Sequence, residues 1–331
     1  MMHRFYLQTS LFIFISVLAL IVMGIRIEKK DPADYLSSII DKHKRLESLE
    51  SPRLILSGGS NLAFGIDSRR MEEELKIPVV NLGLHAGLGL EFILNELSAE
   101  MKNGDKVIIS LEYYLSKAGE YQLKHKAAEY LPGAGNYFSQ SIFGDIRYAV
   151  ERKRNALKDN FIYVKNGLLS IAGRASENTL RTNVYRRDCF NEYGDVVCHL
   201  NEKSTVRTDD IDPFVYSEYE GISLLNEFYR KAKKLNVRVY FMYPNLPVSV
   251  YRENIDCIGK YTGDISTKLE MPVLNAPFDF VYNDSLFYDT VYHLNGPGRQ
   301  KRTSDMIRLI QKAGIFEKMK SIQYGIQNSA R

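Results

Sequence analysis

Three stretches carry side chains that could do chemistry together. "SGGSN" (residues 57–61) ends an apolar run and places Ser60 at the start of an amphipathic segment. "NLGLHAGLGL" (81–90) is a glycine-rich loop that opens a helix, and "FYDTVYHLNGPG" (287–298) carries Asp289 and His293 just before another. A hydroxyl, an imidazole beside a carboxylate, and backbone amides freed by glycines are the parts of serine acyl transfer: nucleophile, base, orienter and oxyanion donors. Each also has a plainer use. Ser60 could only cap a helix after a turn, and Asp289 and His293 could be a polar surface pair. His85, within the glycine loop, reads as structural. Glu112, at the end of another apolar run, reads as a partner for backbone amides of a neighbouring loop.

These positions gain meaning from the elements around them. Short β-rich runs at 53–56, 78–83, 106–112, 238–243 and 272–275 are nearly continuous in apolar character, as strands buried on both faces are. Amphipathic segments at 68–76, 90–102, 218–235, 250–269 and 297–312 alternate with them, the last with Asn295 as its cap. The alternation predicts an α/β fold, a doubly wound parallel five-stranded sheet of flavodoxin-like type. Ligands bind such sheets beyond the carboxyl ends of the strands. Ser60, the glycine loop and the Asp289/His293 pair all follow strand ends. Residues 115–216 break the rhythm and read as a large insertion on that rim, a lid or substrate platform. The predicted division is an anchor at 1–30, a connector at 31–52, the first part of the sheet domain at 53–114, the insertion at 115–216, and the second part at 217–325 with a basic tail.

Composition excludes several classes. Among 331 residues, 45% hydrophobic and 25% charged, the net charge of +4 is too mild to imply a nucleic-acid partner. Basic residues concentrate at 147–187 and 299–331, where solvated helix faces or contact with anionic lipid headgroups or an acidic polymer are the two readings. Neither CxxC nor HExxH occurs and the six histidines are scattered, so no metal is expected. "SGGSNLAFG" lacks the P-loop Gly-Lys-Ser/Thr and the Rossmann spacing, so no nucleotide cofactor is expected either. Residues 5–25 contain no charge and are long enough to span a bilayer as a helix, which needs roughly 20 residues. No small-residue cleavage pattern ends the run, which reads as an uncleaved transmembrane anchor. Arg26, Lys29 and Lys30 behind it favour a cytoplasmic body. The cysteines favour the opposite side. With Tyr193-Gly194 as a two-residue hairpin loop, Cys189 faces Cys198 in a close pair suited to a disulfide; a three-residue loop with a glycine bulge shifts that register by one. A disulfide implies an oxidising compartment.

The order of these blocks resembles the SGNH (GDSL-like) hydrolase superfamily, whose first block is Gly-Asp-Ser after strand one and whose last is Asp-x-x-His before the final helix. "GGSN…FGID", "VVNLGL" and "FYDTVYHLN..G…RT" behind an N-terminal anchor are similar to bacterial membrane-anchored SGNH-like proteins, several of which serve in acylation of cell-surface polysaccharides. The resemblance covers residues 53–116 and 216–312. It implies Ser60 as nucleophile, His293 as general base, Asp289 as its orienter, and Gly59, Asn61 and either Gly83 or Gly87 at the oxyanion and substrate side. It also implies an acylated or acceptor glycan as partner, membrane attachment through the N-terminal helix, a membrane-bound acyltransferase as possible donor, and an extracytoplasmic catalytic domain. Three departures stand out. Gly59 replaces the usual aspartate, "SLEYY" replaces the third block with its asparagine, and one extra residue separates Asp289 from His293. Loss of an oxyanion donor costs about 10²–10³ in rate. Weak hydrolysis or transfer to a specific acceptor therefore fits as well as robust esterase activity, and a non-catalytic scaffold of an envelope polysaccharide-modification complex is the alternative.

Overall fold

In the computed structural model of the chain, the residues described are 2–25, 31–171, 184–206, 208 and 213–316. They divide into two compact units. One holds helix α1 (Met2–Ile25) and helix α7 (Ile142–Ile171), which pack against each other. The other holds the described chain from Ala33 to Phe138 and from Val184 onward. The predicted insertion is thus split: only its middle belongs with the N-terminal helix, and its flanks belong to the sheet. The predicted anchor is helical along its length. Among the described residues no helix is long and apolar enough to cross a membrane, and the side chains of residue 17 and of 19–25, with all of 26–30, lie outside the described residues.

The sheet unit alternates as its sequence does. A connector helix α2 (Ile39–Ser48) precedes β1 (Leu54–Gly58), α3 (Ser60–Gly65), α4 (Ser68–Leu75), β2 (Val79–Asn81), α5 (Gly89–Glu100) and β3 (Lys106–Ser110). After α6 (Tyr121–Tyr130) and the α7 excursion come α8 (Gly221–Lys234) and β4 (Arg238–Met242). They are followed by β5 (Leu246–Pro247), α9 (Val248–Glu253), α10 (Ile255–Lys268), β6 (Val281–Tyr282) and α11 (Gly296–Lys312). The main sheet is parallel, with order β2-β1-β3-β4, and β5 pairs β6 in a small separate sheet. Every residue of β1 and β3 is buried, which explains their unbroken apolar runs. Alternate side chains serve opposite faces. Ile55, Val107, Ile109 and Phe241 meet α5, α8 and α10 on one side. Leu54, Leu56, Ile108 and Met242 meet Met71 of α4 and Met306, Ile307 and Ile310 of α11 on the other.

The predicted fifth strand is a correction. The sheet has four strands, and residues 272–275 touch β4 through a single parallel bridge, Phe241 with Val273. Pro272 has no N–H for a ladder, and the Asn275 side chain accepts from the Tyr243 amide where another rung would form. The hairpin register also differs from the two-residue loop. Phe190 pairs with Val196, the Gly194 amide donates to the Asn191 carbonyl, and Gly194 takes φ +93°, so the loop has three residues with a glycine at its left-handed position. The Cys189–Cys198 disulfide is present in that register, with Cα atoms 5.1 Å apart.

The connector helix is locked to the sheet by buried polar contacts. Arg53, paired with Asp105 at 3.1 Å, donates to the Leu46 carbonyl of α2, and His43 Nε2 lies 2.9 Å from Glu96 on α5 with Glu100 at 3.7 Å from Nδ1. Burial works against the His43 charge, but the hydrogen bond and charge of Glu96, aided by Glu100 and Glu47, outweigh it and hold the imidazole above its ordinary value. A raised folded-state value stabilises below the unfolded one and fades as pH climbs through the folded one. The thermal midpoint of the native chain should therefore exceed that of His43→Gln by more at about pH 6 than at about pH 8 in a calorimetric pH series, since the other buried cations titrate alike in both.

Candidate active site

The turn after β1 is shaped by two close approaches. A side chain at Gly58 would run into the carbonyl of Ser110 on β3, and one at Gly59 would collide with the carboxylate of Glu112. Gly59 is the N-cap of α3 with no side chain to offer, and Ser60 takes the first helical position. Glu112 supplies what the cap lacks: its Oε1 accepts the Asn61 amide at 3.0 Å. A carboxylate is thus delivered to the space beside residue 59 from just beyond the end of β3.

Asn61 is fully buried and held from both sides by opposite charges. Glu112 takes its amide, while Arg302 from α11 donates to its carbonyl at 2.6 Å and its side-chain oxygen at 2.9 Å. The Asn61 amide nitrogen donates to the Ser110 carbonyl at 3.0 Å. Burial pushes the Arg302 guanidinium down to about 10. Such an arrangement fixes the backbone beneath Ser60 and leaves that hydroxyl half-buried at the rim.

His293 and Asp289 meet in a tight loop closed by the antiparallel bridge Phe287–Leu294. The extra residue between them is absorbed by Thr290, whose hydroxyl accepts the amides of Tyr292 and His293, both at 3.2 Å. Asp289 Oδ1 lies 2.8 Å from His293 Nδ1. A carboxylate at Nδ1 favours the tautomer that carries its proton there and leaves Nε2 as the site for a general base. Burial alone would raise the Asp289 carboxyl, but the hydrogen bond and charge of His293, joined by Tyr185, hold it below the ordinary carboxylate range. The imidazole is buried and stacks on Phe64 with ring centres 3.9 Å apart and planes 7° from parallel. Phe64 stands four residues after Ser60 on α3, so the two share a helix face. No hydrogen bond joins the Ser60 hydroxyl to His293, and in unliganded sites such bonds are commonly long until substrate binds.

Tyr185, from the far end of the insertion, is a member that the sequence did not announce. Its hydroxyl donates to Asp289 Oδ2 at 2.5 Å and lies 3.3 Å from His293 Nδ1. Burial and then Asp289 hold the phenol far above its ordinary value, so it remains a donor. Tyr185→Phe should lower kcat on a small acyl ester about tenfold, the size of one hydrogen bond to a charged group, with KM nearly unchanged in steady-state assays.

On the oxyanion side three backbone amides already have internal acceptors. Among the residues put forward for it, Asn61 gives its amide to Glu112, Gly83 gives its amide to the Asn81 side chain at 3.0 Å, and Gly87 gives its amide to His85 Nδ1 at 2.9 Å. Gly59 provides room rather than a side chain. These glycines are close-approach positions: a Cβ at Gly83 would press on Leu62 and the Gly59 carbonyl. His85 thus caps its own loop, and burial lowers its imidazole.

Two buried charges outside the motifs fasten the loops together. Lys42 of α2 donates to the carbonyls of Asn81, Gly83 and Gly194 at 2.9, 2.8 and 2.5 Å, and burial pushes its ammonium down to about 7. Asp195 of the hairpin, fully buried, accepts from the Ser68 amide and hydroxyl, the Asn81 side chain and Arg299. Neither residue had a local signal: Lys42 stands in the charged run 41–45 and Asp195 in a hairpin loop, and neither spacing names its partners. Among the described residues no group of His, Cys, Asp or Glu converges into a metal site. No protein-family model matches the chain, and no curated protein matches it significantly.

Proposed function

We propose that the chain is a membrane-anchored serine acyl esterase or O-acyltransferase of SGNH-like type, acting on a cell-surface glycan. The observation that carries this reading is the Asp289–His293 pair, whose imidazole stacks on Phe64 one helical turn from Ser60. In this scheme Ser60 attacks the acyl carbonyl, His293 Nε2 takes its proton, and the imidazolium returns a proton to the leaving alkoxide. Asp289, steadied by Tyr185, keeps the ring oriented. The Ser60 amide, at the first helical position where no intrahelical acceptor exists, faces the developing oxyanion. Water or a sugar hydroxyl then takes the acyl group from Ser60. The Cys189–Cys198 disulfide supports an extracytoplasmic body, and the charge-free run at 5–25 supports the anchor. A membrane-bound acyltransferase as donor would match transfer better than hydrolysis.

A second reading keeps the fold as a non-catalytic scaffold of an envelope complex. It is favoured by the commitment of the Asn61, Gly83 and Gly87 amides to internal partners. One comparison separates the two. O-acyl content of the surface polysaccharide, measured by mass spectrometry in cells producing the native chain or Ser60→Ala, should change only with the native chain. Equal content in both would leave the scaffold reading.

A further inference from the structure

Large apolar side chains exposed to solvent are concentrated on two helices. Of 21 among the described residues, nine lie on α1 and five on α7. On α7 these are Ile142, Phe143, Ile146, Val150 and Leu157, from 42 to 86% exposed in the presence of α1, which packs against the same helix. At 100° per residue, Ile142, Ile146, Val150 and Leu157 fall within about 80° of the helix circumference, with Phe143 at the edge. Arg147, Arg154 and Lys158, all exposed, occupy about the next 80°. From 142 to 158 there are five Lys/Arg against two acids.

We propose that this face of α7 lies in the headgroup region of an anionic lipid bilayer, parallel to its surface. A narrow apolar stripe beside a basic one is the pattern of an interfacial helix, whose apolar side chains enter the headgroup–acyl boundary to a depth of about 5–10 Å. Arg147, Arg154 and Lys158 then meet lipid phosphates, an attraction that depends on anionic lipid and on ionic strength. A protein partner fits less well. Lys153 falls inside the apolar stripe, and lysine is depleted from the centres of protein interfaces, whereas at a bilayer surface its aliphatic stem lies among the chains and its ammonium reaches the headgroups.

The chain contains no tryptophan, so one introduced indole reports alone. Full-length Ile146→Trp and Asn155→Trp, the second exposed and about 180° round α7 from the first, would each be reconstituted into phosphatidylcholine vesicles with and without phosphatidylglycerol. Lipids brominated on their acyl chains serve as quenchers. Both positions lie on the helix surface, and circular dichroism verifies the fold. The Ile146→Trp emission should be blue-shifted and quenched by brominated lipid at least about twofold more than that of Asn155→Trp, and more strongly with phosphatidylglycerol present. Neutralising Arg147, Arg154 and Lys158 to glutamine should remove the phosphatidylglycerol dependence. Equal lipid quenching at the two positions, or a blue shift at Ile146→Trp that follows protein concentration and ignores lipid composition, would overturn the proposal, the latter in favour of a second copy of the chain.

Discussion

Ser60→Ala is expected to reduce turnover of a small acyl ester by about 10⁴-fold or more, with the fold unchanged by circular dichroism. The size follows from the role. A nucleophile and its base act as one unit, and removing either leaves only what binding and oxyanion contacts supply. His293→Ala should therefore match Ser60→Ala, and the double variant should be no worse than either single one. Additive losses would mean that the two side chains do not share a step. The hydroxyl at 60 is half-exposed, so neither its loss nor a methyl in its place disturbs the buried Asn61–Arg302–Glu112 network below it. A loss of activity is then a loss of chemistry.

The largest stability effect is expected at Asp195. Its carboxylate is fully buried and meets Arg299 at 3.1 Å, the Ser68 hydroxyl at 2.6 Å and the Asn81 side chain at 2.9 Å. Asp195→Ala strands a buried guanidinium and two polar groups, a change that costs about 3–5 kcal/mol. For a body of this size that lowers the thermal midpoint by about 10 °C, readable by differential scanning fluorimetry. Asp195→Asn keeps the shape but not the charge and should fall between. The anchored loops follow strands β1 and β2, so the variant should also lose more activity than its residual folded fraction explains.

Four strands were legible because burial on both faces leaves a local trace, an unbroken apolar run, and the observed β1, β3 and β4 differ from their predicted bounds by one or two residues. The fifth run looked alike, yet its pairing depended on Pro272 and on Asn275, whose side chain turned to Tyr243. Asp289 and His293 were legible as a pair because four residues bring them together. Tyr185 reaches them across 104 positions, and Arg302 reaches Asn61 across 241. Arg302 stood in the quoted RT of the last block and Tyr185 in no block, and for neither could a partner be named, because hydrogen bonds between distant segments leave no period or spacing. Glu112 was readable only as a carboxylate seeking amides, and the structure identifies the amide as that of Asn61. Its position also explains why residue 59 is glycine: the space is already filled.

The central claim is that the Ser60 hydroxyl is made nucleophilic by His293. The most direct measurement is to expose the full-length protein to a fluorophosphonate and map the adduct by fragmentation of the tryptic peptide 54–69, which holds three serines. A phosphonyl group on Ser60 in the native chain, and none in His293→Ala, is the result expected. No adduct on Ser60, or an adduct that forms equally without the imidazole, would contradict it.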